Sequence, residues 1–182
     1  MPALSYPSMN AERKQTYQRC LDALTPRSLQ LLQQLVAVNS HSRHRPGLLE
    51  NARLVARAFE PLGFVASLCP DDDPERGDHL FLTRAGSGPH SVALVSHLDT
   101  VYTADQEAAN DFRWREEGPL IYGPGVADIK GGTALIQMTL AAIAEIDPAF
   151  FALVSWFVAL TAAEEEGKLL FPQLARAALP QN

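Results

Sequence analysis

Cysteine is scarce: Cys20 and Cys69 are the two among 182 residues, far apart and without C-x-x-C spacing, so neither a disulfide framework nor a thiolate zinc site is indicated. A reducing compartment follows, and a cytoplasmic location is the expectation. Positive charge is in deficit as well. Lys plus Arg total 15 against 21 Asp plus Glu, a net charge of −6 with a pI near 5.3, which excludes the electrostatic footprint of a nucleic-acid or acidic-membrane binder. No run of about 18 apolar residues stands out, and residues 1–14 lack a basic stretch followed by an apolar core, so neither a membrane span nor a secretion leader is expected. Repeats and low-complexity tracts are missing, and the 13 prolines are scattered, so no linker divides the chain.

What is present is enough for a core. Apolar residues make up 47% and charged residues 20%, the composition of a globular unit. The length fits one domain of roughly 100–200 residues and does not fit a full two-domain enzyme. Residues 10–24 predict a polar, peripheral helix; Thr25-Pro26 reads as an N-cap and first-turn proline opening a second, apolar helix through Leu29, Leu31, Leu32, Leu35 and Val36. A third helix is predicted over 46–60, its stripe formed by Leu48, Leu49, Ala52, Val55, Ala56 and Phe59. Strands follow at 64–68 and 79–83 across the acidic turn Asp71-Asp72-Asp73-Pro74. Two nearly continuous apolar strands, 91–96 and 153–160, read as buried on both faces, with a long helix over 129–145 between them. Strand, long helix and strand predict an α/β fold with a mixed, largely parallel central sheet flanked by helices. Ligands in such sheets bind beyond the carboxyl ends of the strands.

Three motifs fall at those ends. His97-Leu98-Asp99-Thr100-Val101 follows the first buried strand, which suits His97 as a metal ligand and Asp99 as the partner that orients its ring; alone, such a His is more often an ordinary hydrogen-bonded residue. Gly123-Pro124-Gly125-Val126-Ala127-Asp128-Ile129-Lys130-Gly131-Gly132 runs into the long helix. It is no dinucleotide loop, because Asp128 stands where the third glycine should be and repels a pyrophosphate. Helix capping by Asp128 is its bland alternative. The third motif, Glu164-Glu165-Glu166-Gly167, follows the second buried strand. Acidic runs are usually solvated faces, but neighbouring carboxylates at the end of a core strand repel one another unless a cation neutralises them. Imidazole with carboxylates is the ligand set of hydrolytic zinc, so together the motifs favour a metal-dependent hydrolase.

In order and spacing, His97-Leu98-Asp99-Thr100-Val101-Tyr102, Tyr122 to Gly132 and Glu164-Glu165-Glu166-Gly167 resemble the two-zinc metallopeptidases that include glutamate carboxypeptidase, aminoacylase, acetylornithine deacetylase and succinyl-diaminopimelate desuccinylase. The resemblance implies that His97 binds one metal, Glu165 the other, and Asp128 both. It makes Glu164 the general base, Asp99 the support of His97, and Glu166 a bystander. It implies a cis bond at Asp128-Ile129, zinc as the metal with Co2+ or Mn2+ possible, and small peptides or N-acyl amino acids with a free carboxylate as substrates.

Members of that family are about twice as long. They supply a further carboxylate, a late histidine and a lid and dimerisation domain, for which these residues have no counterpart. Residues 1–182 therefore read as the amino-terminal portion of a zinc peptidase catalytic domain, weak in zinc binding and turnover. A non-catalytic remnant or binding module on the same scaffold is the alternative.

Overall fold

Asn10 opens the first helix: its side chain accepts the Arg13 amide at 2.8 Å, satisfying one of the first turn's orphan donors. The computed structural model describes residues 10–167 and 170–179; the features expected of residues 1–9 and of Lys168-Leu169 lie outside it. Helix α1 (Ala11–Val36) passes without a break through Thr25-Pro26, where two helices are expected. The cause is local. The Thr25 hydroxyl donates backwards to the Leu21 carbonyl at 2.8 Å instead of capping a new helix. Burial of Leu31, Leu32, Leu35 and Val36 then outweighs the roughly 3 kcal/mol that an interior proline costs.

Helix α2 (Arg45–Phe59) matches expectation within a residue and buries Leu48, Ala52, Val55 and Phe59, while Leu49 and Ala56 are half-buried. Gly63, in the left-handed region at φ 79°, turns the chain into strand β1 (Val65–Cys69), followed by β2 (His79–Arg84) and β3 (Ser91–His97). A short helix α3 (Ala104–Ala109), a hairpin of β4 (Arg115–Glu117) and β5 (Leu120–Tyr122), and a tight turn over Val126–Lys130 lead into α4 (Gly131–Ile146). Helix α5 (Pro148–Leu153) precedes β6 (Ser155–Thr161), and α6 (Leu170–Ala178) comes last. The expected strand start at 153 is displaced because Asp147 accepts the Phe150 amide at 3.0 Å and caps α5 instead.

The central sheet has the order β1-β2-β6-β3. It is mixed, as expected, but not largely parallel: β3 and β6 are parallel around α4, whereas β1–β2 and β2–β6 are antiparallel, because short connections join β1 to β2 and β2 lies beside β6. One face packs Leu80, Leu82, Val158 and Leu160 against Leu35 and Phe59. On the other, Phe81, Phe157 and Ala159 lie under Phe171 and Leu174 of α6. Central β6 is buried throughout. The expectation that β3 is buried on both faces fails, because β3 is an edge strand and Val95 is 61% exposed.

Contrary to the sequence expectation, residues Val126–Ile146 are long and apolar enough to cross a membrane by length and composition. Part of that apolarity is used in packing: α4 lies against α1, α5 and β3 and buries Ala134, Leu140 and Ala142 with Thr133 and Gln137, while Leu135 is 57% exposed.

Phe59 is fully buried, its ring edge-on to Phe64 at 5.4 Å. Phe59→Ala is expected to cost roughly 3–5 kcal/mol of stability, read as a lower urea midpoint at unchanged slope; an unmoved midpoint would show that this core is not the one holding the fold.

Candidate metal centre

His97 is the last residue of β3 and lies beside Thr161, the last residue of β6. The carboxyl ends of the parallel pair therefore form one rim, and both acidic motifs come to it. The Val126–Lys130 turn supplies Asp128, whose Oδ1 is 3.0 Å from His97 Nε2. The loop after β6 supplies Glu164, with Oε2 3.9 Å from the same nitrogen, and Glu165. Ligand atoms of His97, Asp128 and Glu165 all lie within 4.8 Å of one another. The sequence expectation that these three residues, 68 positions apart at the extremes (165 − 97), meet in one cradle is met in space.

Asp99, next to His97 but 1% exposed, holds that rim together. Its Oδ1 accepts the Glu164 amide at 3.1 Å, and its Oδ2 accepts the Glu165 amide at 3.1 Å and the Ser42 hydroxyl at 2.8 Å. His97 Nδ1 is 3.0 Å from the main-chain oxygen of Asp99 and 3.4 Å from its Oδ1. Both the backbone oxygen and the carboxylate of Asp99 thus lie where a partner that orients the ring would lie. Burial works against the Asp99 charge, but the hydrogen bonds from His97, Ser42 and the Glu165 amide hold its carboxyl below the usual range.

The glycine-rich turn has a packing reason. Gly125 sits at φ 71°, and a Cβ there would fall 2.7 Å from the Thr100 methyl, so the turn comes directly against the loop after β3. Lys130, buried, donates from Nζ to the Val38 carbonyl at 2.9 Å and ties the turn to the end of α1. Burial lowers its pKa to about 8 against the opposing charge of Glu107. Helix α4 has no side-chain cap, so capping is not what Asp128 does. The Asp128-Ile129 bond is cis.

The electrostatics describe a site that wants a cation. Burial raises the Glu165 pKa, and the Asp128, Asp99 and Glu164 carboxylates raise it further against His97. At His97 burial disfavours the charge, yet hydrogen bonds to Asp99 and Asp128 lift the pKa to about 9. Both ring nitrogens then carry protons, and the one on Nε2 stands between His97 and Asp128. Two donors of one zinc ion are separated by at most about twice the metal–ligand distance, roughly 4 Å; His97 and Asp128 at 3.0 Å lie within that limit, and the full set, within 4.8 Å, suits donors shared between two neighbouring ions.

Sequence reasoning missed Ser42, Lys130 and His79, a buried ring whose Nδ1 accepts the Ala162 amide at 3.1 Å. Nothing local marks them, because each acts on a partner more than 50 positions away. Glu166 is not among the clustered ligand atoms, and Arg43 and Arg76 both bind it.

Residues 93–176 match peptidase family M20/M25/M40. The resemblance read from the motifs is shown by that match and by curated relatives. The chain is 32% identical to carboxypeptidase G2 of Pseudomonas sp. (strain RS-16) over 120 residues, covering 66% of this chain and 28% of that protein. It is 36% identical to succinyl-diaminopimelate desuccinylase of Novosphingobium aromaticivorans over 115 residues, covering 60% and 28%. The chain therefore spans less than a third of the length of either relative. Human carnosine dipeptidase 1 shares the fold, with a TM-score of 0.72 at 18% identity over 90% of this chain and 37% of that one. The M20 match contains the His97, Asp128 and Glu164-Glu165 motifs whole.

Because the His97 pKa in the metal-free protein is raised to about 9, its stabilising contribution is complete below its ordinary value near 6.5 and is lost as pH rises through about 9. Wild-type metal-free protein is expected to lose stability over that window relative to His97→Gln; parallel stability curves for the two would refute the coupling.

Proposed function

We propose that residues 1–182 carry the amino-terminal part of a metal-dependent centre that hydrolyses amide bonds in small peptides or N-acyl amino acids bearing a free carboxylate. The observation that carries this reading is the convergence of His97, Asp128 and Glu165 within 4.8 Å, with Glu164 beside them. The names of the relatives, a carboxypeptidase and a desuccinylase, agree on removal of a residue or acyl group from an amine. Zinc is the metal proposed from the imidazole and carboxylate donors, and the cytoplasm the location.

His97 and Asp128 would hold one ion, Asp128 and Glu165 the other. When bound, such a pair polarises the scissile carbonyl and acidifies a water. Glu164 contributes what a free carboxylate can: its exposed Oε2 takes the proton of the attacking water and returns it to the departing amine. Asp99 fixes the geometry, since one carboxylate positions His97 and the amides of both glutamates. The chain's own residues thus divide into binding, proton transfer and orientation.

The same donor count sets a limit. Catalytic zinc takes about three protein ligands plus water, and each ion would have two from the described residues. Polypeptide 1–182 is therefore expected to bind zinc far more weakly than the ~10–16 kcal/mol of structural zinc sites, and to show little turnover. Calorimetric titration checks this. Zinc binding that survives both His97→Ala and Asp128→Ala would overturn the metal reading and leave a binding module on the same scaffold. Submicromolar stoichiometric binding, or amidase activity abolished by Glu164→Gln, would show a complete centre within these residues.

A further inference from the structure

Three adjacent glutamates leave β6, yet they do not share one environment. Glu166 is taken up by arginines. Arg76 Nε donates to its Oε2 at 2.6 Å, Arg43 Nη2 donates to the same oxygen at 3.0 Å, and Arg43 Nε donates to Oε1. Glu164 and Glu165 form no ion pair with arginine or lysine among the described residues, and their charged neighbours are His97 and the other carboxylates.

Arg76 is not a surface ion-pair partner of the kind that contributes little. It is 3% exposed, and its Nη1 lies 3.4 Å from Asp71 Oδ1, on a side chain that is itself 1% exposed. Asp71 Oδ2 lies 3.2 Å from Nε2 of buried His79, and His79 Nδ1 accepts the Ala162 amide. The chain of neighbours Ala162–His79–Asp71–Arg76–Glu166, in which the His79–Asp71 step is a close approach and not a hydrogen bond, therefore begins and ends on the same loop, at two points that bracket Glu164 and Glu165. Between those points Asp99 takes the amides of the two bracketed residues. Every anchor of the loop is buried or charge-assisted, while the carboxylates it presents stay unbound.

Resting on the metal-centre reading above, we propose that Arg76, seconded by Arg43, is a positioning residue for that centre. By holding Glu166 it removes one of three competing carboxylates and fixes the loop so that Glu164 and Glu165 face His97. Arg43 grips both oxygens of Glu166 as a fork while Arg76 brings Nε and Nη2 to one of them, and together the two guanidinium groups fix direction as well as charge.

The sign of one measurement separates positioning from simple electrostatics. Arg76→Met deletes a positive charge near a cation site, which by Coulomb attraction alone would tighten zinc binding. The clamp predicts the reverse: ~10–100-fold weaker zinc, the usual loss when a partner outside the ligand shell is removed. Amide exchange is read alongside, and is expected to quicken at Ala162, Glu164 and Glu165 and to stay unchanged at Phe157 to Leu160 of β6. Arg43→Met, at a half-exposed site, carries the same test with a smaller effect should Arg76→Met fail to fold, and Arg76→Lys recovers part of the loss. Arg45→Ala removes a nearby pair with Asp78 that does not touch Glu166 and is expected to behave as wild type. Equal or tighter zinc binding in the Met variants, or wild-type exchange in the loop, overturns the proposal. If the wild-type chain binds no zinc, the metal reading falls separately and exchange alone decides: faster loop exchange upholds the clamp, unchanged exchange removes it.

Discussion

A single buried carboxylate organises the candidate centre. Asp99 is two residues from His97 in the chain, but it reaches the Glu164 amide across 65 positions and the Ser42 hydroxyl across 57. An ionised carboxylate so far from water is costly unless its lone pairs are occupied. Here two amides, a hydroxyl and an imidazole occupy them. The requirement works in both directions: the donors make the charge tolerable, and the charge brings three loops to one rim.

The fold creates the place where this is possible. Parallel pairing of β3 and β6 aligns their carboxyl ends, so His97 and Thr161 lie side by side and the chain leaves both strands on the same edge. Helix α4 closes the crossover, and the turn ahead of it returns to that edge with Asp128. Lys130 and Gly125 hold the turn there, one by a hydrogen bond to the end of α1 and the other by leaving room for the Thr100 methyl. The result is a concentration of negative charge, with His97 as its nearest counter-charge. A proton or a metal ion among the carboxylate oxygens there relieves their repulsion, and the Asp99 and Asp128 carboxylates raise the basicity of His97 accordingly.

Much of this was legible in the chain itself. Periodicity gave α2 within a residue, and composition separated the β3–α4–β6 unit from its surroundings. The three motifs named His97, Asp128, Glu164 and Glu165 because ligands in an α/β sheet must follow strand ends. Other features were beyond its reach. Thr25-Pro26 carries a helix-start signal, but the hydroxyl found the Leu21 carbonyl and core burial carried the helix on. The apolar run of β3 resembles that of β6, yet one is an edge and the other central, a difference of sheet order that no local pattern encodes.

The sequence by itself determined which groups are candidates for metal binding and proton transfer and which kind of element delivers each, because residue type and spacing from a strand end are local properties. Only the tertiary structure decided how those groups are held: Asp99 under the amides of the glutamate loop, His79 against Ala162, and Arg76 on Glu166 rather than on its neighbours. Those choices are made between residues 65 to 90 positions apart. They depend on which donor meets which acceptor once water is excluded, and burial is a property of the assembled fold.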